Sequence, residues 1–321
     1  MKEIGGYLEL DRYTGSIFHV GAVALNCGRA ALRYLIRTKK IRKMYLPYFC
    51  CDAVADACQR ENIKFEYYHI DASFRPVFDK VLSTDEWLYI VNFYGQVGND
   101  ELETWQKKFG RVIFDNVQAY FQKPVDGIDT LYTCRKFLGV ADGAFLYTQD
   151  KLDELERDES FDRMCFVLGR FERTASEFYK ESEDNNNFFT DEPVKLMSKL
   201  TENLLRAIDY PAVEKQRTEN FTYLHEKLKE KNRLYLTIPT GAYMYPFYCE
   251  TGAVVRKALQ AQKIYIPTLW PDVFDICDPV TLEYDYAMNI LPLPVDQRYG
   301  IEDMKYIINL LQESMEKNND Q

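Results

Sequence analysis

Short apolar runs separated by helical patterns fill the first half of the chain. The helical patterns cover residues 27–36, 48–59 and 100–108. The apolar runs are rich in β-branched and aromatic residues and end at turn residues, which is typical of buried strands. They lie at residues 43–47, 64–70, 87–93, 112–114, 129–133 and 144–147. Single strands that alternate with helices predict an α/β fold with a mainly parallel sheet and crossover helices.

The pattern changes after residue 148. Residues 150–180 are charge-dense and helical in pattern, and the polar residues 181–187 predict a mobile loop. A long helical stretch at 192–232 is interrupted near Pro211, and the tail predicts strands and helices at residues 242–249, 253–262, 263–267, 288–292 and 301–313. We therefore predict a large domain over residues 1–205 and a smaller C-terminal α+β domain over residues 206–321.

Polar residues follow the strands of the central stretch, where α/β sheets bind ligands. Asp115 ends the run at 112–114, Gln118 comes three positions later, and Lys136 follows the run at 129–133. This set predicts pyridoxal phosphate (PLP), because PLP enzymes need a lysine for the Schiff base and an acid for the pyridine nitrogen. Asp115 would keep that nitrogen protonated, and Gln118 would bind the ring hydroxyl. Arg135 would supply a charge that activates Lys136. Taken singly, each residue is more readily explained as a strand end or a solvated side chain.

The segments around these residues resemble one known family. Residues 114–119, FDNVQA, resemble the E-D-x-A-Q-A segment of the DegT-like sugar aminotransferases, a branch of the fold-type-I PLP enzymes. Residues 133–146, TCRKFLGVADGAFL, resemble their S-x-x-x-x-K-x-x-x-x-x-E-G-G segment and place Lys136 on the family lysine. The resemblance implies the fold-type-I architecture, PLP as cofactor and aminotransferase activity, with Lys136 as the catalytic residue.

Three departures from the family pattern are visible. Ala144 replaces the second glycine, and the hydroxyl that usually lies five places before the lysine falls on Leu131, so that Thr133 would take its role from a shortened loop. The family's asparagine, which reaches the phosphate from the partner subunit, has no clear match near Met197 and Ser198. These changes concern the phosphate end of the cofactor.

The resemblance also implies the remaining cofactor contacts. The family's S-G-T-x-A-L lies over residues 27–32, so Gly28 and Arg29 would hold the phosphate at a helix N-terminus. A plain helix cap explains this turn equally well. The position that faces the PLP ring falls on Cys51, with Phe49 as the alternative, and both are also compatible with the core.

Two further segments match the family more loosely. Tyr94 and Gly95 form a turn that resembles one close to the family's active site. Arg217 and Asn220 resemble its R-x-x-N, although a solvated helix face is the favoured interpretation of this pair.

Composition excludes several classes of function. The net charge of −10 argues against nucleic-acid and anionic-membrane partners. No apolar stretch has the length of a membrane span, and the start does not resemble a signal peptide. Eight cysteines without zinc spacing and three scattered histidines predict reduced thiols, a cytoplasmic location and no metal site.

The residues and the resemblance together predict a PLP-dependent aminotransferase. The resemblance implies that the amino donor is glutamate and that the acceptor is a keto-sugar nucleotide. The aromatic residues of the tail would suit a sugar pocket, although at least half of them are expected in strand cores: Tyr243, Tyr245, Phe247, Tyr248, Tyr265 and Trp270. A homodimer is expected from the family and from the aromatic segment at residues 1–21. Two alternatives stay open, namely another PLP reaction such as dehydration or desulfuration, and a non-catalytic protein that keeps the fold. Lys136 argues against the sugar-dehydrating branch, in which a histidine replaces the lysine.

Overall fold

The computed structural model describes residues 4–319, and a large mixed sheet forms its centre. The strands of this sheet are β1 (Val23–Leu25), β2 (Lys43–Pro47), β3 (Lys64–Ile70), β4 (Pro76–Val77), β5 (Glu86–Val91), β6 (Val112–Asp115), β7 (Asp129–Thr133) and β8 (Ala144–Tyr147). Their order is β1-β8-β7-β6-β5-β2-β3-β4. The central strands β3, β2, β5, β6 and β7 are parallel, whereas β1, β8 and β4 pair antiparallel with their neighbours at the two edges.

Helices cross between the parallel strands and continue into the second half of the chain. They are α1 (Gly28–Thr38), α2 (Asp52–Arg60), α3 (Asn99–Phe109), α4 (Cys165–Glu172), α5 (Tyr179–Phe188), α6 (Lys199–Leu205), α7 (Tyr210–Leu228), α8 (Gly252–Ala261), α9 (Val273–Ile276), α10 (Leu282–Asn289) and α11 (Ile301–Asn319). Helix α1 shows why they pack on the sheet. Its apolar positions recur at helical spacing, so that Ala31, Leu32, Leu35 and Ile36 are buried together.

A second, smaller core lies in the C-terminal part. The strands β9 (Met244–Tyr248) and β10 (Ile290–Pro294) pair antiparallel, with Phe247 opposite Leu291. Both residues are fully buried, and the cluster they belong to includes Phe221 and Leu224 of α7 and Leu311 of α11. This arrangement is the α+β unit expected for the tail. The boundary between residues 205 and 206 stays a prediction.

The structure confirms the predicted α/β class and corrects several local expectations. Residues 181–187, predicted to be a mobile loop, lie inside helix α5. The packing of this helix depends on tertiary contacts, since the buried Asn185 donates to the carbonyl of Ala141 at 2.9 Å. Residues 263–267 were predicted as a strand but have no regular structure, and Lys263 has a left-handed φ of 63°.

The described part of the N-terminal segment has no regular secondary structure. Residues 4–22 have no helix or strand, and residues 1–3 of the aromatic segment lie outside the described residues. Within residues 4–319, no helix is both long and apolar enough to cross a membrane. The same residues contain no group of three or more histidine, cysteine or acidic side chains placed to hold a metal ion.

Candidate active site

The polar residues singled out in the sequence follow the carboxyl ends of the parallel strands. Asp115 ends β6, Lys136 follows β7, Cys51 follows β2 and Tyr94 follows β5. Carboxyl ends of parallel strands lie at one edge of a sheet, and ligands bind where the strand order reverses. In this sheet the order reverses between β5 and β2, beside β6. The topology therefore brings these residues to one edge.

Asp115 is the buried acid of the site, with an exposed fraction of 4%. Its Oδ2 accepts a hydrogen bond from the Tyr89 hydroxyl at 2.6 Å, and its Oδ1 accepts one from the backbone N–H of Val117 at 2.8 Å. Burial raises the pKa of Asp115, although the Tyr89 hydrogen bond and the Lys136 charge lower it in part. Among the described residues, none forms an ion pair with Asp115. A protonated ring nitrogen would therefore favour the charged carboxylate.

Gln118 has a free donor inside the protein. Its Oε1 accepts from the backbone N–H of Tyr94 at 2.7 Å, and its side chain is only 1% exposed. Its buried Nε2 has no hydrogen-bond partner among the described residues. The acceptor contact depends on the turn after β5, where Tyr94 has a left-handed φ of 54° and Gly95 one of 75°. An unpaired buried donor costs about 1–3 kcal/mol, so a ligand oxygen at this atom would be stabilising.

Lys136 lies in the turn after β7, where the backbone N–H groups of Phe137 and Leu138 donate to the carbonyl of Cys134. The side chain is exposed, and its Nζ lies 5.4 Å from the centre of the Tyr243 ring. The ammonium lowers the pKa of Asp115 against the larger effect of burial. Burial likewise raises the pKa of the Cys50 thiol, and the Lys136 charge opposes that shift. The lysine therefore lies near both the buried acid and the start of α2.

The N-terminus of α1 carries a cluster of positive charge. A Cβ atom at Gly28, the first residue of the helix, would lie 4.0 Å from Val117, so this end of α1 adjoins the Asp115 loop. Arg29 donates to the carbonyl of Asn186 at 3.3 Å, and Arg135 donates to the Oδ1 of the same residue at 2.8 Å. The Nε atoms of both arginines are buried without a partner among the described residues. Burial lowers the pKa of Arg135, and the nearby charge of Arg29 lowers it further. Two guanidinium groups at a helix N-terminus suit a phosphate dianion.

The remaining predicted residues have more ordinary surroundings. Cys51 is exposed at the start of α2, and its thiol donates to the carboxylate of Asp52 at 3.1 Å. Phe49 is 1% exposed and packs edge-on against Trp270, with 4.4 Å between ring centres, so it belongs to the core. The Thr133 hydroxyl donates at 3.5 Å to the carbonyl of Gly143, within the β7–β8 hairpin.

The prediction that Arg217 and Asn220 lie on a solvated helix face is wrong, because their exposed fractions are 2% and 0%. Their side-chain N–H groups donate hydrogen bonds to backbone carbonyls. The signal was present in the sequence, since both residues share a helical stripe with Phe221, Leu224 and Leu228. Two further contributions had no sequence signal, namely the Tyr89 hydroxyl on Asp115 and Asn186 between the two arginines.

Comparison with solved structures shows the same fold in aminotransferases. A DegT/DnrJ/EryC1/StrS aminotransferase from Brucella abortus has 13% sequence identity and a TM-score of 0.60, over 91% of this chain and 85% of that chain. NtdA from Bacillus subtilis, solved with bound PMP, has 12% identity and a TM-score of 0.64, over 92% of this chain and 73% of that chain. A sugar aminotransferase from Micromonospora echinospora has 12% identity and a TM-score of 0.60, over 91% and 87%.

The sequence itself matches no family model and no curated protein. At these low identities the structural similarity establishes the fold. The predicted fold-type-I architecture is therefore confirmed, and the fold shared with these solved structures covers 91–92% of the chain.

Proposed function

We propose that the protein is a PLP-dependent aminotransferase. The observation that carries this proposal is the unpaired, buried Nε2 of Gln118 at the same sheet edge as Asp115 and Lys136. Among the described residues, Asp115 is buried without an ion-pair partner, and the Nε2 atom of Gln118 and the Nε atoms of Arg29 and Arg135 are buried without a hydrogen-bond partner. The ring nitrogen, ring hydroxyl and phosphate of PLP have the chemistry to supply these partners. The residues present therefore fit the cofactor.

Each residue has a defined task in this proposal. PLP supplies an electron-withdrawing ring that stabilises negative charge on the substrate carbon. Asp115 holds the proton on the ring nitrogen, and Gln118 donates to the ring hydroxyl. Gly28 and Arg29 bind the phosphate, and Cys51 faces the ring. The Lys136 amine would take the proton from the substrate carbon as a general base and deliver it to the cofactor carbon as a general acid.

We assign a different role to Arg135 and the same role to Thr133. Arg135 lies with Arg29 at the N-terminus of α1, so we assign it to the phosphate and no longer to the activation of Lys136. The Thr133 hydroxyl contacts Gly143 only at the limit of a hydrogen bond, and we retain it as a phosphate ligand.

A loading experiment tests the cofactor. We expect purified protein to bind PLP with a visible absorption band that shifts on addition of glutamate. Borohydride should then trap PLP on the peptide that contains Lys136, and the exposed Lys107 serves as the control position. Protein that stays colourless at saturating PLP, with no adduct on Lys136, would show that the cofactor proposal is wrong.

An Asp115→Asn variant tests the electrostatic role of the acid. We expect it to lower turnover far more than PLP binding, because only the carboxylate favours the protonated ring. An equal loss in both measurements would indicate that Asp115 only shapes the site.

We further propose glutamate as the amino donor and a keto-sugar nucleotide as the acceptor. A sugar aminotransferase is among the proteins with this fold. The aromatic tail supports this less than the sequence suggested, because Tyr245, Phe247, Tyr248 and Trp270 are core residues. Tyr243, half-buried beside Lys136, is the member nearest to the reacting group.

A half-reaction screen tests this choice of substrate. The enzyme is first loaded with glutamate, and keto-sugar nucleotides and simple keto acids are then offered separately. Return of the cofactor spectrum only with keto acids would refute the sugar acceptor. Release of ammonia or sulfide without amino transfer would favour the alternative PLP reactions.

A homodimer is the assembly that we propose. The side chains of Ile4, Tyr7 and Leu8 are 91%, 100% and 96% exposed. Helix α4 has no buried residue, and its apolar residue Phe171 is 92% exposed. Exposed apolar surface of this extent is typical of an interface. Light scattering should give twice the mass of one chain, and Leu8→Ser should shift the equilibrium towards monomer. A single-chain mass at all concentrations would refute the dimer.

The cytoplasmic location stays a prediction.

A further inference from the structure

One backbone carbonyl next to the candidate lysine is bound from the C-terminal part of the chain. The carbonyl oxygen of Phe137 accepts from Nη2 of Arg217 at 3.1 Å and from Nε2 of Gln297 at 2.8 Å. Phe137 directly follows Lys136 in the turn after β7. Two donors from distant segments therefore hold the turn that carries the lysine.

Arg217 is buried, and each nitrogen of its guanidinium group donates a hydrogen bond. Its Nε donates to Oε1 of Gln297 at 2.7 Å, and its Nη1 donates to the carbonyl of Ala242 at 2.9 Å. The guanidinium also lies 4.6 Å from the centre of the Phe137 ring. Burial lowers the pKa of Arg217 to about 10, so the group remains cationic at neutral pH. A buried cation of this kind needs fixed acceptors around it, which makes its position well defined.

The same guanidinium reaches both structures that border the lysine. Besides the Phe137 carbonyl, its Nη1 contacts the carbonyl of Tyr243 at 3.5 Å. The Tyr243 ring packs against the Phe137 ring at 5.6 Å and lies 5.4 Å from Nζ of Lys136. Arg217 thus fixes the base of the lysine side chain and the ring along which it extends.

We propose that Arg217, together with Gln297, is a positioning residue that sets where the Lys136 amine lies. The inference rests on the proposed function, since it gives that lysine its importance. Because Arg217 belongs to α7 and Gln297 follows β10, any shift of the C-terminal part would be transmitted to the lysine through the Phe137 carbonyl. A displacement of about 1 Å at a reacting group costs roughly 100-fold in rate.

A purely structural role is the competing explanation, and Asn232 provides a control for it. Asn232 lies after α7 in the C-terminal part, and its Nδ2 donates to the carbonyl of Pro246 at 2.8 Å. Its Oδ1 accepts from the backbone N–H groups of Leu234 and Tyr248, at 3.1 and 3.0 Å, so none of these contacts involves Gln297 or the lysine turn. An Asn232→Leu variant should therefore weaken the C-terminal packing and leave Lys136 in place.

The Gln297→Glu variant distinguishes an effect on the position of Lys136 from a general loss of packing. The carboxylate can still accept from Arg217, but it cannot donate to the Phe137 carbonyl. Arg217→Met removes the whole contact, and Gln297→Glu keeps the test decisive where Arg217→Met fails to fold.

The measurement is the rate of reductive methylation of Lys136 by formaldehyde and cyanoborohydride in protein without PLP, read by peptide mass spectrometry. We expect Gln297→Glu and Arg217→Met to raise this rate severalfold relative to Lys107, because the turn is released. Asn232→Leu should lower the melting temperature without changing the rate. In PLP-loaded protein, turnover of Gln297→Glu should fall by up to about 100-fold.

Two results would overturn the inference. One is an unchanged methylation rate in a folded Gln297→Glu protein, and the other is an equal change in Asn232→Leu. Failure of the proposed function is distinguishable, since it would appear in the wild-type protein as an absence of trapped PLP on Lys136 and would leave the methylation comparison intact.

Discussion

His19 gives a quantitative prediction for the dependence of stability on pH. Its side chain is 1% exposed and lies among aromatic rings, with 4.1 Å to the ring centre of Tyr132 and 4.6 Å to that of Tyr120. Neither ring nitrogen has a hydrogen-bond partner among the described residues. Burial lowers the pKa of His19 from 6.5 to about 3; the backbone of Tyr120 opposes this shift, and the charge of Lys123 adds to it.

The sign and size of the effect follow from linkage. Below pH 6.5 the unfolded chain binds a proton at His19 and the folded chain does not, so stability is lost as the pH falls. The loss is about 1.4 kcal/mol per pH unit, which gives about 2 kcal/mol at about pH 5. His19→Phe keeps an aromatic ring in the cluster and removes the proton site. Wild type should therefore lose about 2 kcal/mol more than His19→Phe between about pH 7 and pH 5.

Urea unfolding followed by tryptophan fluorescence at the two pH values measures this difference. His225→Gln is the control, because His225 lies half-buried on α7, outside the aromatic cluster around His19, although burial lowers its pKa as well. Parallel loss of stability in wild type and His19→Phe would show that His19 is protonated in the folded protein, and the reasoning from burial would be refuted.

Two further changes test contacts that hold the scaffold. Glu283→Ala should lower the free energy of unfolding by about 1–3 kcal/mol, because the buried carboxylate accepts from the Ile70 N–H at 2.8 Å and that donor would be left unpaired. Urea titration against the exposed Glu302→Ala checks this, and equal effects would contradict it. Gly143→Ala should lower the melting temperature, because Gly143 has a φ of 120° and the new Cβ would lie 3.1 Å from Cys134 Sγ. Gly98→Ala, in open space, should change it far less, and similar shifts would argue against backbone strain.

The sheet was predictable because its buried strands have a strong local pattern. The predicted runs at 43–47, 64–70, 129–133 and 144–147 have the observed bounds, and turn residues delimit each of them. Strand β1 was not predicted, since three residues are too few to show a period. Helix α5 was missed because its composition is polar and its stability depends on contacts such as that of Asn185 with Ala141.

The candidate site was predictable to a similar extent. Asp115, Gln118 and Lys136 could be selected because each follows a strand or its turn, and the topology places such residues at one edge. The surroundings of these residues depend on side-chain direction across the fold. Nothing in the sequence indicated that Arg135 turns towards Asn186, or that Arg217 reaches from α7 to the turn carrying Lys136.

The low burial of helices α4 and α5 affects how the sequence of this protein can change. Helix α4 buries none of its residues, and α5 buries only Asn185. Yet Asn186 of α5 contacts both Arg29 and Arg135. Substitutions at exposed positions of these two helices therefore remove little core packing, and those at Asn186 alter the border of the arginine cluster. Selection, natural or in the laboratory, can vary this border almost independently of folding, and libraries aimed at new ligand preferences belong there.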